Sequence, residues 1–149
     1  MLQEFKVSFH ARWTDMDFNG HMKNTAFLDY AADSRMLFFK TNGFQPSNFA
    51  KLQIGPVVFS DKINYFKELF MYDRFSVKLL LNQINENGSK FTLINKILDI
   101  DNKLVATIES KACWFDLKNR KITSPPEKLF TVMMDSGNSL STPFPSMPS

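Results

Sequence analysis

Arg12–Trp13–Thr14–Asp15–Met16–Asp17–Phe18–Asn19–Gly20–His21–Met22–Lys23–Asn24 gathers two carboxylates, an imidazole, two carboxamides and a glycine into one short run. On its N-terminal side Phe5, Val7, Phe9, Ala11 and Trp13 alternate with Lys6, Ser8, His10 and Arg12, the pattern of a strand with one face on a core. On its C-terminal side an apolar helix runs to about Lys40, with Asn24 or Thr25 able to cap it and Asn42–Gly43 as a left-handed stop. The polar run therefore occupies a strand-to-helix junction. Free amides and the helix dipole favour negative charge at such a place. Asp, Asn and Gly are also the usual turn formers, so the run also fits a loop closed by Asx turns.

The helix is unusual in its pattern. At 100° per residue, Ala26, Phe27, Leu28, Ala31, Ala32, Leu37, Phe38 and Phe39 spread over most of the circumference, and Asp29, Asp33 and Lys40 form one narrow polar stripe. Such a helix is expected to be wrapped by the rest of the fold. Phe44 to Gly55 reads as a loop, with Phe44, Phe49 and Leu52 available to line a pocket. Four strands are expected next: Val57–Leu69 with a bulge near Asp61, Arg74–Ile84, Lys90–Ile100 and Lys103–Asp116, with Asn85–Glu86–Asn87–Gly88 as a hairpin turn. Ser124–Pro125–Pro126–Glu127 has capping-box spacing and predicts a short helix to Met134. One strand, a long helix and four antiparallel strands make an α+β domain, a curved sheet around a central helix.

With 149 residues the chain suits one domain, read as residues 1–135, followed by a Ser/Pro-rich tail, 136–149, expected to be disordered. Sixteen Phe point to a thick core or an apolar ligand cavity. A net charge of +3 without a Lys/Arg run argues against a nucleic-acid partner, though scattered lysines suit an anionic ligand such as coenzyme A. Cys113 is the one cysteine and falls in an apolar strand-like run, so it reads as a small core residue in a reducing compartment. The N-terminus lacks signal-peptide regions and no stretch approaches the roughly 18 apolar residues of a membrane span. A cytoplasmic protein without membrane insertion is expected. A single helix covers only part of such a sheet, which predicts a homodimer or homotetramer.

Arg12, Asp15, Asp17, Gly20, His21 and Asn24, followed by Tyr30, Asp33 and Arg35, resemble the R-x-x-D-x-D-x-x-G-H-x-x-N pattern of hotdog-fold thioesterases. Within them the likeness is to the 4-hydroxybenzoyl-CoA thioesterase-like group. Ile63–Asn64–Tyr65–Phe66 with Asp73 is similar to that family's second strand, and the resemblance covers about residues 4 to 130. Asp17–Phe18–Asn19–Gly20–His21 is also similar to the D-x-N-x-H of acyl-ACP thioesterases. Two departures stand out: Asp33 where relatives commonly carry glutamate, and Lys23 where a second asparagine is frequent. The resemblance implies a hotdog fold of about five strands around one helix, and an acyl-CoA or acyl-ACP thioesterase with Asp17 as the catalytic carboxylate.

The chemistry suits these residue types. A thioester carbonyl is electrophilic and its thiolate leaves readily, so a carboxylate suffices as nucleophile or as base for water. The developing oxyanion needs donors, and amides at a helix start are aimed already. His21 and Asn19 are expected to orient water or Asp17. Asn24 can cap the helix or bind the substrate carbonyl. Asp15 is expected to pair with Arg12 or cap a turn. Phe59 and Ser60 are further substrate-binding candidates, Ser60 also fitting an ordinary strand surface. No cofactor or metal is expected, coenzyme A being part of the substrate. A hotdog hydratase or dehydratase carries D-x-N-P-x-H, whose histidine spacing and proline this chain lacks. A non-catalytic acyl-binding protein is the remaining alternative, since one fold hosts all three.

Overall fold

The computed structural model describes residues 5–139. Strand β1, Phe5–His10, keeps Phe5, Val7 and Phe9 half-buried and Lys6, Ser8 and His10 exposed, as the alternation requires. A single 3-10 turn, Trp13–Asp15, leads through the polar run to helix α1, Asn24–Thr41. A second helix, α2 at Pro46–Leu52, precedes the long strand β2, Ile54–Tyr65. Strands β3 (Arg74–Asn82), β4 (Lys90–Asp99) and β5 (Leu104–Asp116) follow as a meander. The two-residue strand β6 (Lys121–Ile122) and helix α3 (Glu127–Ser139) complete the described chain.

All pairings are antiparallel, and the sheet runs β1-β3-β4-β5-β2 with β6 beside β5. Both edges of the main path are therefore the strands that flank α1 in sequence. The hotdog architecture of a curled antiparallel sheet holding one long helix is present. The expected irregularity in the second strand is a register shift between Val58 and Ser60, slightly earlier than Asp61.

Several local expectations change. Neither Asn24 nor Thr25 caps α1; Lys23, in extended conformation, is the residue before its first turn. The amide of Lys23 is tied to the Asp15 carbonyl, which fixes where the chain can turn helical. The loop expected after Gly43 contains α2, started by Pro46 and a reciprocal Gln45–Asn48 cap. Its Phe49, together with Phe44, fills the core around Trp114 instead of lining a pocket. Helix α3 begins at Glu127, so Ser124 lies too early to cap it. It continues past Met134 to Ser139; of the expected tail, residues 140–149 lie outside the described residues.

The circumference of α1 is also less uniform than its composition. Ala26, Phe27, Tyr30, Ala31, Ser34, Arg35, Phe38 and Phe39 are buried, while Ala32 and Met36 join Asp29, Asp33 and Lys40 on an exposed face. The sheet covers one side of the helix only, and among the described residues nothing wraps the other. The first half of α1 packs on Val77, Ile97, Val105 and Ile108, and the second half on Leu79, Leu81, Phe91 and Trp114. Phe39, Phe49 and Phe91 all pack ring-to-ring on Trp114, whose Nε1–H donates to Met133 Sδ at 3.0 Å.

A polar seam joins these two cores. Arg35, only 9% exposed, donates from Nε to Asn95 Oδ1 at 2.9 Å and from Nη2 to Ser110 Oγ at 2.8 Å. Asn95 Nδ2 donates in turn to Ser34 Oγ and to the Lys78 carbonyl, and Ser110 reaches Asp61. Burial lowers the Arg35 pKa to about 10, against the pull of Asp61, so the guanidinium is still charged at neutral pH. Its satisfied donors tie the helix to β4, β5 and, through Ser110, β2. Such a network fixes one rotation of the helix, because a slipped helix would leave these groups buried and unpaired.

Two substitutions check this packing. Phe38 is buried and meets Phe5 and Phe39 edge-on, so Phe38→Ala is expected to cost about 3–5 kcal/mol in urea unfolding. Gly88 holds the β3–β4 turn at φ +78, and a methyl there would collide with the Phe130 ring of α3. Gly88→Ala is expected to cost about 1–2 kcal/mol from backbone strain alone. Adding Phe130→Ala should recover the steric part of the loss, which a double-mutant cycle measures.

Candidate active site

The polar run folds as a small hairpin. The Lys23 amide donates to the Asp15 carbonyl and the Asp17 amide to the His21 carbonyl, both at 2.8 Å, with Met16 and Met22 bridged between them. Gly20, at φ +77, closes the turn by donating to the Asp17 carbonyl. That left-handed geometry is open to glycine at no steric cost. The hairpin also joins the main body, through the Met22 amide to the Leu69 carbonyl and a bridge between His21 and Phe70.

Its base is clamped by side chains. Asp15 is 4% exposed and accepts from the Arg12 amide, from Arg12 Nε and Nη2, and from the Tyr30 hydroxyl. Tyr30 is itself buried between Phe9 and Phe75, and Arg12 lies over its ring at 5.5 Å. Burial alone would raise the Asp15 pKa, but the Arg12 and Tyr30 hydrogen bonds outweigh it and hold the carboxyl below its usual range. Burial, with the Asp15 contact, pushes the Tyr30 phenol up to about 12. The expected Asp15–Arg12 pair is present, and Tyr30 is its unforeseen third member.

Asp17, two residues on, has a different environment. It is exposed, and its Oδ1 accepts from the amides of Asn19 at 2.8 Å and His21 at 3.1 Å. This is an Asx turn, so the run has the local geometry its turn-forming residues allow. The second oxygen, Oδ2, accepts no hydrogen bond among the described residues. Asp15 and Asp17 thus split, one turned inward to the clamp and the other outward.

His21 is half-buried beside Asp17. Its Nε2 lies 3.3 Å from Glu68 Oε2, and its ring meets Phe70 edge-on at 5.2 Å. Sequence reading passed over Glu68 and Phe70. Their one signal is position: they follow β2 in the stretch returning to Asp73, and only tertiary folding sets them against the hairpin. Phe18, at the tip of the turn, is fully exposed.

The remaining expected residues separate. Asn24 is the first residue of α1, exposed, and its carbonyl accepts from the Tyr65 hydroxyl at 3.4 Å; its side chain is free among the described residues. Asn19 is exposed and contributes its backbone amide. Phe59, 59% exposed, and Ser60 lie on the edge strand β2, about 20 Å of strand away from Tyr65. Within one chain they do not meet Asp17. Among the described residues no three His, Cys, Asp or Glu side chains converge to hold a metal ion.

Comparison with known proteins agrees with this architecture. A candidate esterase of Aquifex aeolicus is 28% identical over 121 residues, covering 81% of this chain and 91% of that one. A Staphylococcus aureus protein solved in complex with CoA superposes with a TM-score of 0.87 at 19% identity, over 99% of this chain and 91% of its own. The 1,4-dihydroxy-2-naphthoyl-CoA thioesterase of Synechocystis superposes with a TM-score of 0.81 at 18% identity, over 95% of this chain and all of its own. Residues 11–147, from the clamp onward, match one family. The chain belongs to the thioesterase-like superfamily.

Proposed function

We propose that this protein is a thioesterase hydrolysing an acyl-CoA, or the same acyl group on acyl carrier protein, to the free acid and the thiol. The observation that carries this reading is the state of Asp17. Two backbone amides fix one carboxylate oxygen, and the other accepts no hydrogen bond among the described residues, on an exposed turn. As general base, Oδ2 takes a proton from water while that water attacks the thioester carbonyl; the C–S bond then breaks and the thiolate takes up a proton. As nucleophile, Oδ2 forms a mixed anhydride with release of thiolate, and water hydrolyses the anhydride. His21, with Glu68 against Nε2, keeps Nδ1 available to orient water. In this reading Asn24, the first residue of α1, donates to the substrate carbonyl, and neither route calls for a cofactor.

A homodimer belongs to the same reading. The site lies open in one chain, with Phe18 in solvent, whereas an apolar acyl group needs walls. Edge strand β2 exposes Val57, Val58 and Phe59 together with an unpaired row of backbone groups, a surface suited to a second copy. Phe59 and Ser60 enter the reading there, as interface residues that bound the site from across the contact. Light scattering is expected to give an even-numbered oligomer. A stable monomer at micromolar concentration would remove this part of the proposal.

The central test is Asp17→Asn in a thiol-release assay over acyl-CoAs of graded length and aryl-CoAs. Asparagine keeps the shape and the amide contacts but is neither an effective base nor a nucleophile. A fall in kcat of about a hundred-fold or more is expected, with KM little changed. Asp15→Asn serves as the control. It should lower Tm by weakening the Arg12–Asp15–Tyr30 clamp, with a smaller loss of kcat. Turnover of the Asp17→Asn protein within a few-fold of wild type would overturn the assignment.

A further inference from the structure

The convex face of the sheet, turned away from α1, gathers positive charge that the proposed hydrolysis does not use. Val77, Leu79 and Leu81 of β3 belong to the cores under α1 and α3, so Lys78, between two of them, faces the other way. The register sets Lys6 of β1 directly opposite Lys78, and Lys78 directly opposite Lys96 of β4. Residues paired in this way share a face, on strands about 5 Å apart. Three ammonium side chains therefore stand in one row across three strands. Like charges directly opposite each other weaken a sheet, so the row is a cost that folding does not explain. Lys62, Lys90 and Lys111 share the face by the same register and are exposed, as is Lys6. Glu109, opposite Lys62, is the one carboxylate on this face among the described strand residues. The whole chain carries a net charge of only +3, so this face holds more positive charge than the molecule has in sum.

Charge complementarity selects what fits there. A second copy of the chain would set lysine against lysine. Residues 140–149 contain no acidic side chain, so that segment does not answer the charge either. Leu80, Ile94 and Leu98, the apolar residues among the lysines, are 8%, 5% and 8% exposed, which leaves no apolar wedge for a bilayer. No aromatic ring stands in the row, whereas single-stranded nucleic acid is held on aromatic platforms. An acidic protein surface is the occupant that matches.

We propose that the lysine face docks the acidic surface of an acyl carrier protein, and that this carrier delivers the acyl group to be hydrolysed. The proposal rests on the thioesterase reading and names the carrier. Lys6 lies four residues before His10, about 13 Å along β1, and β1 runs on into the Arg12–Asp15 clamp at the base of the hairpin. A carrier on the lysine row is thus beside the strand that leads to Asp17, and the arm bearing the acyl thioester covers the remaining distance. A field of this kind acts on the rate of encounter and is screened by salt.

The test presents one acyl group on acyl carrier protein and on coenzyme A at low ionic strength. In Lys78→Glu and in Lys96→Glu, kcat/KM on the carrier-protein thioester should fall about tenfold, mainly through KM, while the CoA thioester stays within about twofold of wild type. Carrier protein without its prosthetic arm, titrated into wild-type protein, should shift the amide resonances of Lys6, Lys78 and Lys96, and the shifts should vanish in about 0.5 M salt. The same change on both thioesters, or shifts confined to other residues, would overturn the docking face. Duplex DNA or phosphatidylglycerol vesicles binding at the row where the armless carrier does not would overturn the choice of partner. Wild-type protein that binds the armless carrier at the row yet hydrolyses neither thioester would end the thioesterase reading and leave the docking face standing.

Discussion

The fold depends on how helix α1 is fixed against the concave face of the sheet. Two aromatic and aliphatic cores lie under its two halves, and apolar contact alone would tolerate small rotations of the helix. The Arg35–Asn95–Ser34–Ser110 seam between them does not. Its donors and acceptors are directional, and a rotated helix would strand a guanidinium in the interior. One orientation follows, and with it the position of the helix start, where Asn24 meets Tyr65.

The Asp17 hairpin inherits its place from that helix. Tyr30 lies one turn and a half into α1, and its hydroxyl reaches Asp15, which Arg12 grips from the other side. The chain from Asp15 to Lys23 then has little freedom: its ends are tied to each other, and its second arm, at His21 and Met22, to Phe70 and Leu69. A buried, fully bonded carboxylate serves as anchor, and an exposed, half-bonded one faces solvent. In the proposed reaction this division of labour lets Asp17 act without reorganising its backbone, which is the condition for effective electrostatic catalysis.

Exposure along β2 and around Phe18 belongs to the same picture. A curved sheet with one helix has a covered side and an open edge, and the apolar side chains at that edge are the surface a single chain cannot bury. The proposed second copy would close the acyl site from that edge.

Much of this was legible in the sequence. Alternation along Phe5–His10 and the four later strands, the length of α1, and the Gly88 and Gly43 stops are local signals, written by side-chain period and backbone freedom. The clustering of Asp15, Asp17, Asn19 and His21 could also be read, because residues this close in sequence stay close in space. Helix α2 escaped because seven residues give too little period to register. The exposed side of α1 escaped because composition counts apolar residues without saying what covers them. Tyr30 on Asp15, Glu68 and Phe70 on His21, and the Arg35 seam were decided only by tertiary structure. Each joins residues from different elements, and no local pattern specifies which side chains the curl of a sheet will bring together.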